Sequence, residues 1–385
     1  MKSNYKTLGD YIKPVNNRNK EMVSTDLRGL SMTKEFRKST SNIIGTDLSK
    51  YKLVYKNQFA CDFMSVIRVH KLPVVLHEEE MPVIVSPAYT IFEIKDETQL
   101  NPEYLMMWFR RPEFDRYADF RCDSAIRGGF KWDELCEVEL PIPSIEKQRE
   151  IVAEYNTVVN RIKLNEQLNR KLEETAQAVY KNWFSETNNK NQPLEDLIEF
   201  NPKHSIKKGE IVSYVEMSDL QEEKMSIKNI AQRGFTAGSK FKNGDTLLAR
   251  ITPCLENGKT AFVDGLNEDE IAYGSTEFIV LRPKPNVSKF WVYCLAREDD
   301  FRSHAISSMI GSSGRQRVNS DYLKEYKVPL VSEEDMCDFH SAVKPIFEII
   351  RLKSDENQSL IKMKDLILSK MTQLEPEKER EIQWN

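Results

Sequence analysis

Two long stretches of the chain carry apolar residues at intervals of three and four, and the stretch before each alternates short apolar runs with turns. The interval predicts amphipathic helices over residues 144–184 and from Ser332 onward, each about 60 Å long. Ser144 and Ser332 are suitable N-caps, and neither Gly nor Pro interrupts the first helix. We expect Pro345 to kink the second helix or to delay its regular part.

Both predicted helices have an apolar face with polar residues near its middle. The two faces read Val158, Ile162, Asn165, Asn169, Leu172, Ala176, Val179, Trp183 and Ile346, Ile350, Lys353, Asn357, Leu360, Lys364, Ile367, Met371. This is coiled-coil spacing, so we expect Asn169 and Asn357 to lie in or beside a helical seam and to help fix its register. The alternative is two separate helices, each lying on its own domain, with both amides exposed.

The stretches before the helices have a mixed pattern. In residues 1–143, the runs LVYKNQFACDF, VIRVHKLPVVL and MPVIVSPAYTIFEI read as strands. A helix is predicted from Asn101, its cap, to about Asp119. Residues 191–331 repeat the plan with GDTLLARITP, STEFIVLRP and a helix near residues 288–299. The order predicts an α+β fold rather than strict βαβ alternation.

The chain also repeats itself. Leu8, Asp10 and Ile12 recur 186 residues later as Leu194, Asp196 and Ile198, and further on an offset of 188 holds without gaps over residues 127–172, which match residues 315–360. We therefore predict a first domain (1–143), a first long helix (144–190), a second domain (191–331), a second long helix (332–373) and a mobile acidic tail (374–385). The repeat favours an antiparallel helix pair between two similar domains, which suits a target in two parts.

Composition narrows the class of protein. Hydrophobic residues make up 40% of the 385 and charged residues 30%, and no apolar run approaches the ~20 residues of a membrane span. The six cysteines form no C-x-x-C pair, so we expect reduced thiols and a cytoplasmic protein. Five histidines without a Cys/His cluster make a zinc site improbable.

Charge counts against a simple nucleic-acid binder. The net charge is −4; residues 1–143 carry 21 basic and 21 acidic side chains, and residues 191–331 carry 19 and 20. Any DNA binding must therefore come from local clusters of Lys and Arg or from basic partner subunits.

No motif indicates catalysis. The string closest to an adenine methyltransferase loop runs from Asn101 to Tyr104, and it lacks the second proline and reads better as a helix cap. Gly258-Lys259-Thr260 mimics the end of a phosphate-binding loop, but Pro253 stands where that loop needs glycine. No carboxylate pair stands out among 60 acidic residues. The sequence thus predicts a protein that is not itself an enzyme.

Side chains suited to DNA contact occur in three stretches. The first is a turn between two strands, the second a glycine-rich loop that aligns with residues 123–129, and the third a strand and turn in the first domain. The candidates are Arg250, Thr252, Asn257 and Lys259; Ser312, Ser313, Arg315, Gln316 and Arg317, with Arg127 and Lys131 of the first domain; and Ser65, Arg68 and Lys71, with a weaker case for His70. The alternatives are a solvated hairpin and a plain connector. Arg110, Arg111 and Arg116 read as a solvated helix face.

The helix openings carry a family resemblance. The first helix opens with I-P-x-x-x-x-Q-x-x-I (Ile142, Pro143, Gln148, Ile151) and ends with Trp183-Phe184. With GDTLLARITPCLENGKTAFV and GSSGRQRVNSDYLKEYKVPL, the chain from about Lys6 to Met371 resembles the specificity subunit of type I restriction-modification enzymes. The second helix departs from the pattern, because Met336 and Phe339 replace the Gln and Ile and no Trp-Phe ends it.

The resemblance implies two target-recognition domains, each reading one half of a split double-stranded DNA target. It further implies that the helices set the spacer and dock modification subunits, two in number, through which restriction subunits join. S-adenosylmethionine, ATP and Mg²⁺ would belong to those partners and none to this chain. The helix residues expected to serve are Gln148, Ile151, Ile162, Asn169, Leu172, Val179, Trp183, Phe184, Ile350, Asn357, Leu360 and Ile367. The rival hypothesis is a two-headed coiled-coil adaptor that binds proteins.

Overall fold

The computed structural model describes residues 5–39, 45–122, 130–184, 190–312 and 314–373. Candidates Arg127 and Ser313 and the tail predicted over residues 374–385 lie outside the described residues. The chain divides into two compact units: Met1–Arg161 with Leu360–Asn385, and Ile162–Ser359. Both divisions fall inside the long helices, so each unit contains a part of both. The five-segment division from the sequence stays a prediction.

The first unit is built on a four-stranded antiparallel sheet. Its elements are β1 (Tyr5–Thr7), β2 (Ile12–Val15), β3 (Arg28–Leu30), β4 (Phe36–Lys38), β5 (Lys52–Val54), β6 (Phe59–Cys61), α1 (Val66–Val69), β7 (Val74–Leu76), β8 (Val83–Val85), β9 (Thr90–Ile94), α2 (Pro102–Phe109), α3 (Pro112–Phe120), α4 (Trp132–Cys136), β10 (Glu139–Pro141) and the start of α5 (Ile145–Phe184). The sheet order is β2-β9-β6-β7, and β3-β4, β5-β8 and β1-β10 form three two-stranded sheets. Phe59 stacks on Phe92 at 4.8 Å in the core.

The second unit repeats this frame. It contains the rest of α5, β11 (Lys190–Pro193), β12 (Ile198–Phe200), β13 (Ile211–Val215), β14 (Ala231–Gly234), β15 (Ser239–Phe241), β16 (Thr246–Ala249), β17 (Thr260–Phe262), β18 (Ala272–Gly274), β19 (Phe278–Pro283), α6 (Lys289–Arg297), α7 (Asp299–Ser307), α8 (Ser320–Lys324), β20 (Lys327–Pro329) and most of α9 (Glu333–Lys370). The order β12-β19-β16-β17 matches β2-β9-β6-β7, and β11-β20 matches β1-β10. The predicted pair of repeated α+β domains is confirmed.

The two long helices pack antiparallel. In the second unit, Asn165 Nδ2 donates to Asn357 Oδ1 at 2.9 Å, so the later part of α5 meets the earlier part of α9. In the first unit, Ile151 near the start of α5 shares a core with Leu368 near the end of α9. Asn169 Nδ2 also donates across the seam, to Ser354 Oγ at 3.3 Å. Both predicted amides lie in the seam, and their control of register stays a prediction.

The buried face of α5 drifts toward its end. Tyr180 and Phe184 are buried there, whereas Val179 is only half-buried and Trp183 is 40% exposed. A straight helix has 3.6 residues per turn, so a face drawn at a strict 3.5 spacing rotates by about 20° every seven residues. The drift moves the seam from Val179 and Trp183 to their neighbours.

Two local predictions were wrong. The segment VIRVHKLPVVL is not a single strand, because its first residues form α1. Just before this helix, the Asp62 side chain accepts a hydrogen bond from the Met64 N–H. His70 ends the helix in the left-handed region, with φ 53°. The helix predicted from Asn101 is two helices, since Pro112 opens α3. Pro345 lies inside α9, which begins at Glu333 without delay, and the kink expected there stays a prediction.

Arg111 is the third correction, because it does not lie on a solvated face. It is buried, and its guanidinium stacks 4.2 Å from the centre of the Trp108 ring. Burial lowers the pKa of Arg111. Arg116, in contrast, is exposed beside Glu113 as expected.

A search of the described ranges for membrane spans finds no helix of sufficient length and apolar character. Within the same ranges, no three or more His, Cys, Asp or Glu side chains are grouped so that they could hold a metal ion.

Candidate nucleic-acid interface

Two of the three candidate stretches meet in the second unit. The predicted hairpin exists, since β16 and β17 pair and residues 250–259 connect them. The Thr252 N–H donates to the Gln316 carbonyl at 3.1 Å, and the Val318 N–H donates to the Arg250 carbonyl at 2.8 Å. Ile251 and Arg317 form an isolated bridge. The backbone thus joins the hairpin turn to the glycine-rich loop.

Several side chains of this joined region brace the domain. Asn257 Nδ2 donates to Glu222 Oε1 at 2.9 Å, and Lys259 Nζ donates to the Met217 carbonyl at 3.1 Å. Thr252 Oγ1 contacts Met309 Sδ at 3.8 Å. Each of these three candidates thus has a contact within the protein, and Asn257 is also exposed to solvent.

Arg317 is also paired inside the domain. Its guanidinium contacts both carboxylate oxygens of Glu277 at 2.7 to 3.0 Å. The hydrogen bond raises the pKa of Arg317 and lowers the pKa of Glu277. Bidentate pairing fixes the plane of the guanidinium. Arg317 therefore holds the loop against the segment before β19.

The rest of the loop is open to solvent. Ser312 and Arg315 are exposed, and Gln316 is half-buried. Among the described residues, no carboxylate forms an ion pair with Arg315. Arg315 therefore has a free cation to offer a phosphate, which keeps it the strongest candidate of this stretch.

The first-domain candidates differ in exposure. Ser65 is buried, donates from Oγ to Asp62 Oδ2 at 2.5 Å and accepts from Arg68 Nη2 at 3.2 Å, so it serves the local turn. Arg68 and Lys71 are exposed. Lys131 is exposed just before α4, where its backbone N–H donates to the Glu134 carboxylate.

The helix candidates lie mostly in the two cores. Gln148 is fully buried and hydrogen-bonded inside the first unit, so its side chain has no exposed group for a partner. Trp183 is the most exposed large side chain of the set in the second unit. The others are buried or half-buried: Ile151, Ile162, Asn169, Leu172, Val179, Phe184, Ile350, Asn357, Leu360 and Ile367.

The sequence reasoning missed a cleft of about 530 Å³ in the second unit. Lys203, His204, Lys240 and Arg250 line it, and no acidic side chain among the described residues does. The segment NPKH follows β12 and the segment SKFK contains β15, so the topology brings together cations that are far apart in the chain. Only Arg250 was a candidate, because sequence spacing alone does not reveal which strands are neighbours.

Comparison with known proteins identifies the class of this fold. The family described as "Type I restriction modification DNA specificity domain" matches residues 186–360. The EcoAI and EcoEI type I specificity subunits of Escherichia coli are 33% and 32% identical over 99 residues. Each match covers 26% of this chain and only 16% of the E. coli subunit.

The fold has a counterpart along nearly its whole length. The type I restriction-modification S subunit from M. genitalium superposes with a TM-score of 0.56 at 14% identity, over 96% of this chain and 95% of that one. The fold is thus that of a two-domain protein with paired long helices, and its second half matches the DNA specificity domain family. The family match thus covers residues 186–360, whereas the likeness in fold covers nearly the whole chain.

Proposed function

We propose that this chain is the DNA-specificity subunit of a type I restriction-modification complex and reads a bipartite target, one half with each domain. The observation that carries the proposal is a DNA specificity domain over residues 186–360 in a chain whose first half repeats the same sheet order. The match to a DNA specificity domain favours DNA over the protein target of an adaptor.

The chain would itself catalyse nothing. Modification subunits, two in number, would dock on α5 and α9 and supply S-adenosylmethionine-dependent methylation, and restriction subunits would add ATP- and Mg²⁺-dependent chemistry. Large apolar side chains that are exposed on the helices support docking, among them Leu164, Leu352 and Leu366.

The helices would also set the gap between the two half-targets. One turn of B-DNA is about 34 Å, and the helices are about 60 Å long. Helices of this length that overlap along most of their length can separate two DNA-binding domains by roughly one helical turn of DNA. Four residues inserted into the exposed part of one helix should lengthen the preferred gap. An unchanged gap would show that something other than helix length sets it.

The direct test is methylation mapping. The chain is co-expressed with a type I modification subunit from its own genome in a methylation-free host, and the DNA is sequenced for N6-methyladenine. We expect a split motif with a fixed gap that disappears when the chain is omitted. Absence of methylation despite a stable, active complex would contradict the proposal.

A further inference from the structure

The basic cleft of the second unit has donor capacity that the protein leaves unused. Lys203 is exposed, and no carboxylate or carbonyl among the described residues is its partner. Arg250 Nε is buried without a hydrogen-bond partner in the described part of the chain. An unpaired buried N–H costs about 1–3 kcal/mol, so such a group indicates a missing acceptor or a side chain that reorients.

Two carboxylates near the cleft are each paired with an arginine outside its lining, and Glu277 also attracts Arg250 electrostatically. Glu277 is held by Arg317, and Asp245 is held by Arg282 through two contacts of 2.6 and 2.7 Å. These acids are already matched by cations outside the lining. The cleft therefore keeps a local positive charge in a protein whose net charge is −4.

One part of the cleft wall is backbone that leaves no room for a side chain, at Gly238. Gly238 has φ +152°, and a Cβ there would come within 2.0 Å of the Gly274 carbonyl oxygen. Lys240 Nζ donates to the His204 carbonyl at 2.7 Å and so ties the segment after β12 to β15. The cations thus stand on a braced surface rather than on a loose loop.

We propose that this cleft binds the sugar-phosphate backbone of the DNA half-target read by the second domain, with Lys203 and Arg250 as the phosphate contacts. The inference rests on the proposed function for its ligand. Phosphates are met by Lys, Arg and backbone N–H groups, whereas base reading needs side chains matched to base edges. Burial and the nearby Arg282 lower the pKa of His204, so at neutral pH it adds a hydrogen-bonding group and no charge.

Lys203→Ala is the decisive variant, since the side chain is exposed and its loss should not disturb folding. Arg250→Gln is the second variant. Lys284→Ala is the matched control, because Lys284 is an exposed lysine of the same domain outside the cleft. Each is purified with its modification subunits, checked by thermal unfolding, and titrated with a duplex carrying the mapped target and with a scrambled duplex.

A phosphate contact lowers affinity for both duplexes alike. One contact contributes about −0.9 to the slope of log K against log salt, which corresponds to about a five-fold loss at 0.15 M salt. We expect Lys203→Ala to weaken binding by about that factor and to flatten the slope by about one. Lys284→Ala should change neither quantity, and millimolar inorganic phosphate should not displace the duplex from the wild type.

Three results overturn the inference. Unchanged affinity and slope for Lys203→Ala and Arg250→Gln would show that the cleft does not meet DNA. A loss confined to the target duplex would assign base reading instead, and displacement by inorganic phosphate would indicate a site for free anions. In each case, the proposed function would still be supported if the wild type methylates DNA at a specific motif. Methylation without a motif would contradict the proposed function, whatever the cleft binds.

Discussion

The joint between helix and domain is built differently in the two halves of the molecule. In the first, Gln148 is fully buried; its Oε1 accepts from the Asn101 N–H at 2.8 Å and its Nε2 donates to the Gln99 and Pro143 carbonyls, each at 2.9 Å. One amide thus ties the start of α5 to the turn before α2.

At the repeated position, 188 residues on, the second half has Met336, which is buried in an apolar core. Phe339 follows, with its ring centre 5.2 Å from Phe184 and 6.1 Å from Tyr180. The residue before α6, Ser288, instead contacts His340 Nδ1 with its hydroxyl at 3.1 Å. The same joint is held by hydrogen bonds in one half and by aromatic packing in the other.

Truncation of the aromatic joint should have the largest effect. Phe339→Ala removes a fully buried ring and leaves a cavity, which should destabilise the second unit by about 3–5 kcal/mol. Hydrogen exchange read by mass spectrometry follows each unit separately. Phe120→Ala is the control, since that ring is 86% exposed. Equal protection in Phe339→Ala and in the wild type would contradict the packing account.

Replacing Gln148 with methionine, the residue at the repeated position, should have the second largest effect on stability. Gln148→Met leaves one backbone N–H and two carbonyls without their partner, so we expect the first unit to lose about 3 kcal/mol. The same exchange at Gln167, on the exposed face of α5, is the control. A harmless Gln148→Met would mean that the hydrogen bonds do not hold the joint.

The stability of the second unit should also depend on pH, through Asp264, which lies near Arg351 of α9. Burial raises the pKa of Asp264 to about 6, and Arg351 on α9 opposes the shift. Because the folded state binds the proton more tightly, stability falls as pH rises from about 4 to about 6 and stays lower above that range. Asp264→Asn should therefore stabilise the second unit by about 2 kcal/mol at pH 7.5 and by little at pH 4. Denaturant titrations at the two pH values measure the difference, and an equal effect at both would count against it.

A smaller effect of opposite direction is expected from His340. Burial, with Lys289 and Lys344 nearby, lowers the pKa of this imidazole. The unfolded chain protonates first, near pH 6.5, so stability should decline as pH falls below that value. His340→Asn should reduce the decline in melting temperature between pH 7 and 5.5, and the lowered pKa of His204 should leave a remainder. If the melting temperature of the variant falls as much as that of the wild type, His340 does not contribute to the pH dependence.

The sequence predicts the overall architecture of the molecule better than its individual contacts. The repeat and the three-four spacing predicted both domains, the helix pair and Asn169 in the seam, because periodicity reports which face is buried. The exposure of Arg111 was misjudged, because its burial beside Trp108 depends on which elements pack together. Lys203 was missed as a candidate, because its proximity to Arg250 depends on which strands become neighbours. That information is tertiary.

The helix opening illustrates the point. The change from Gln148 to Met336 reads in the sequence as a departure from the family pattern. In the structure, both side chains are buried at the same joint and only the type of contact differs. A departure at the level of residues can therefore leave the architecture intact, since packing and hydrogen bonding are alternative ways to hold one joint.

The central claim is that each domain reads its own half of one DNA target. The most direct measurement replaces residues 191–331 with the corresponding domain of another specificity subunit, keeps α5 and α9, and maps N6-methyladenine in a methylation-free host. The account predicts that one half of the motif changes while the other half and the gap stay the same. A motif that changes in both halves, or in neither, would contradict it.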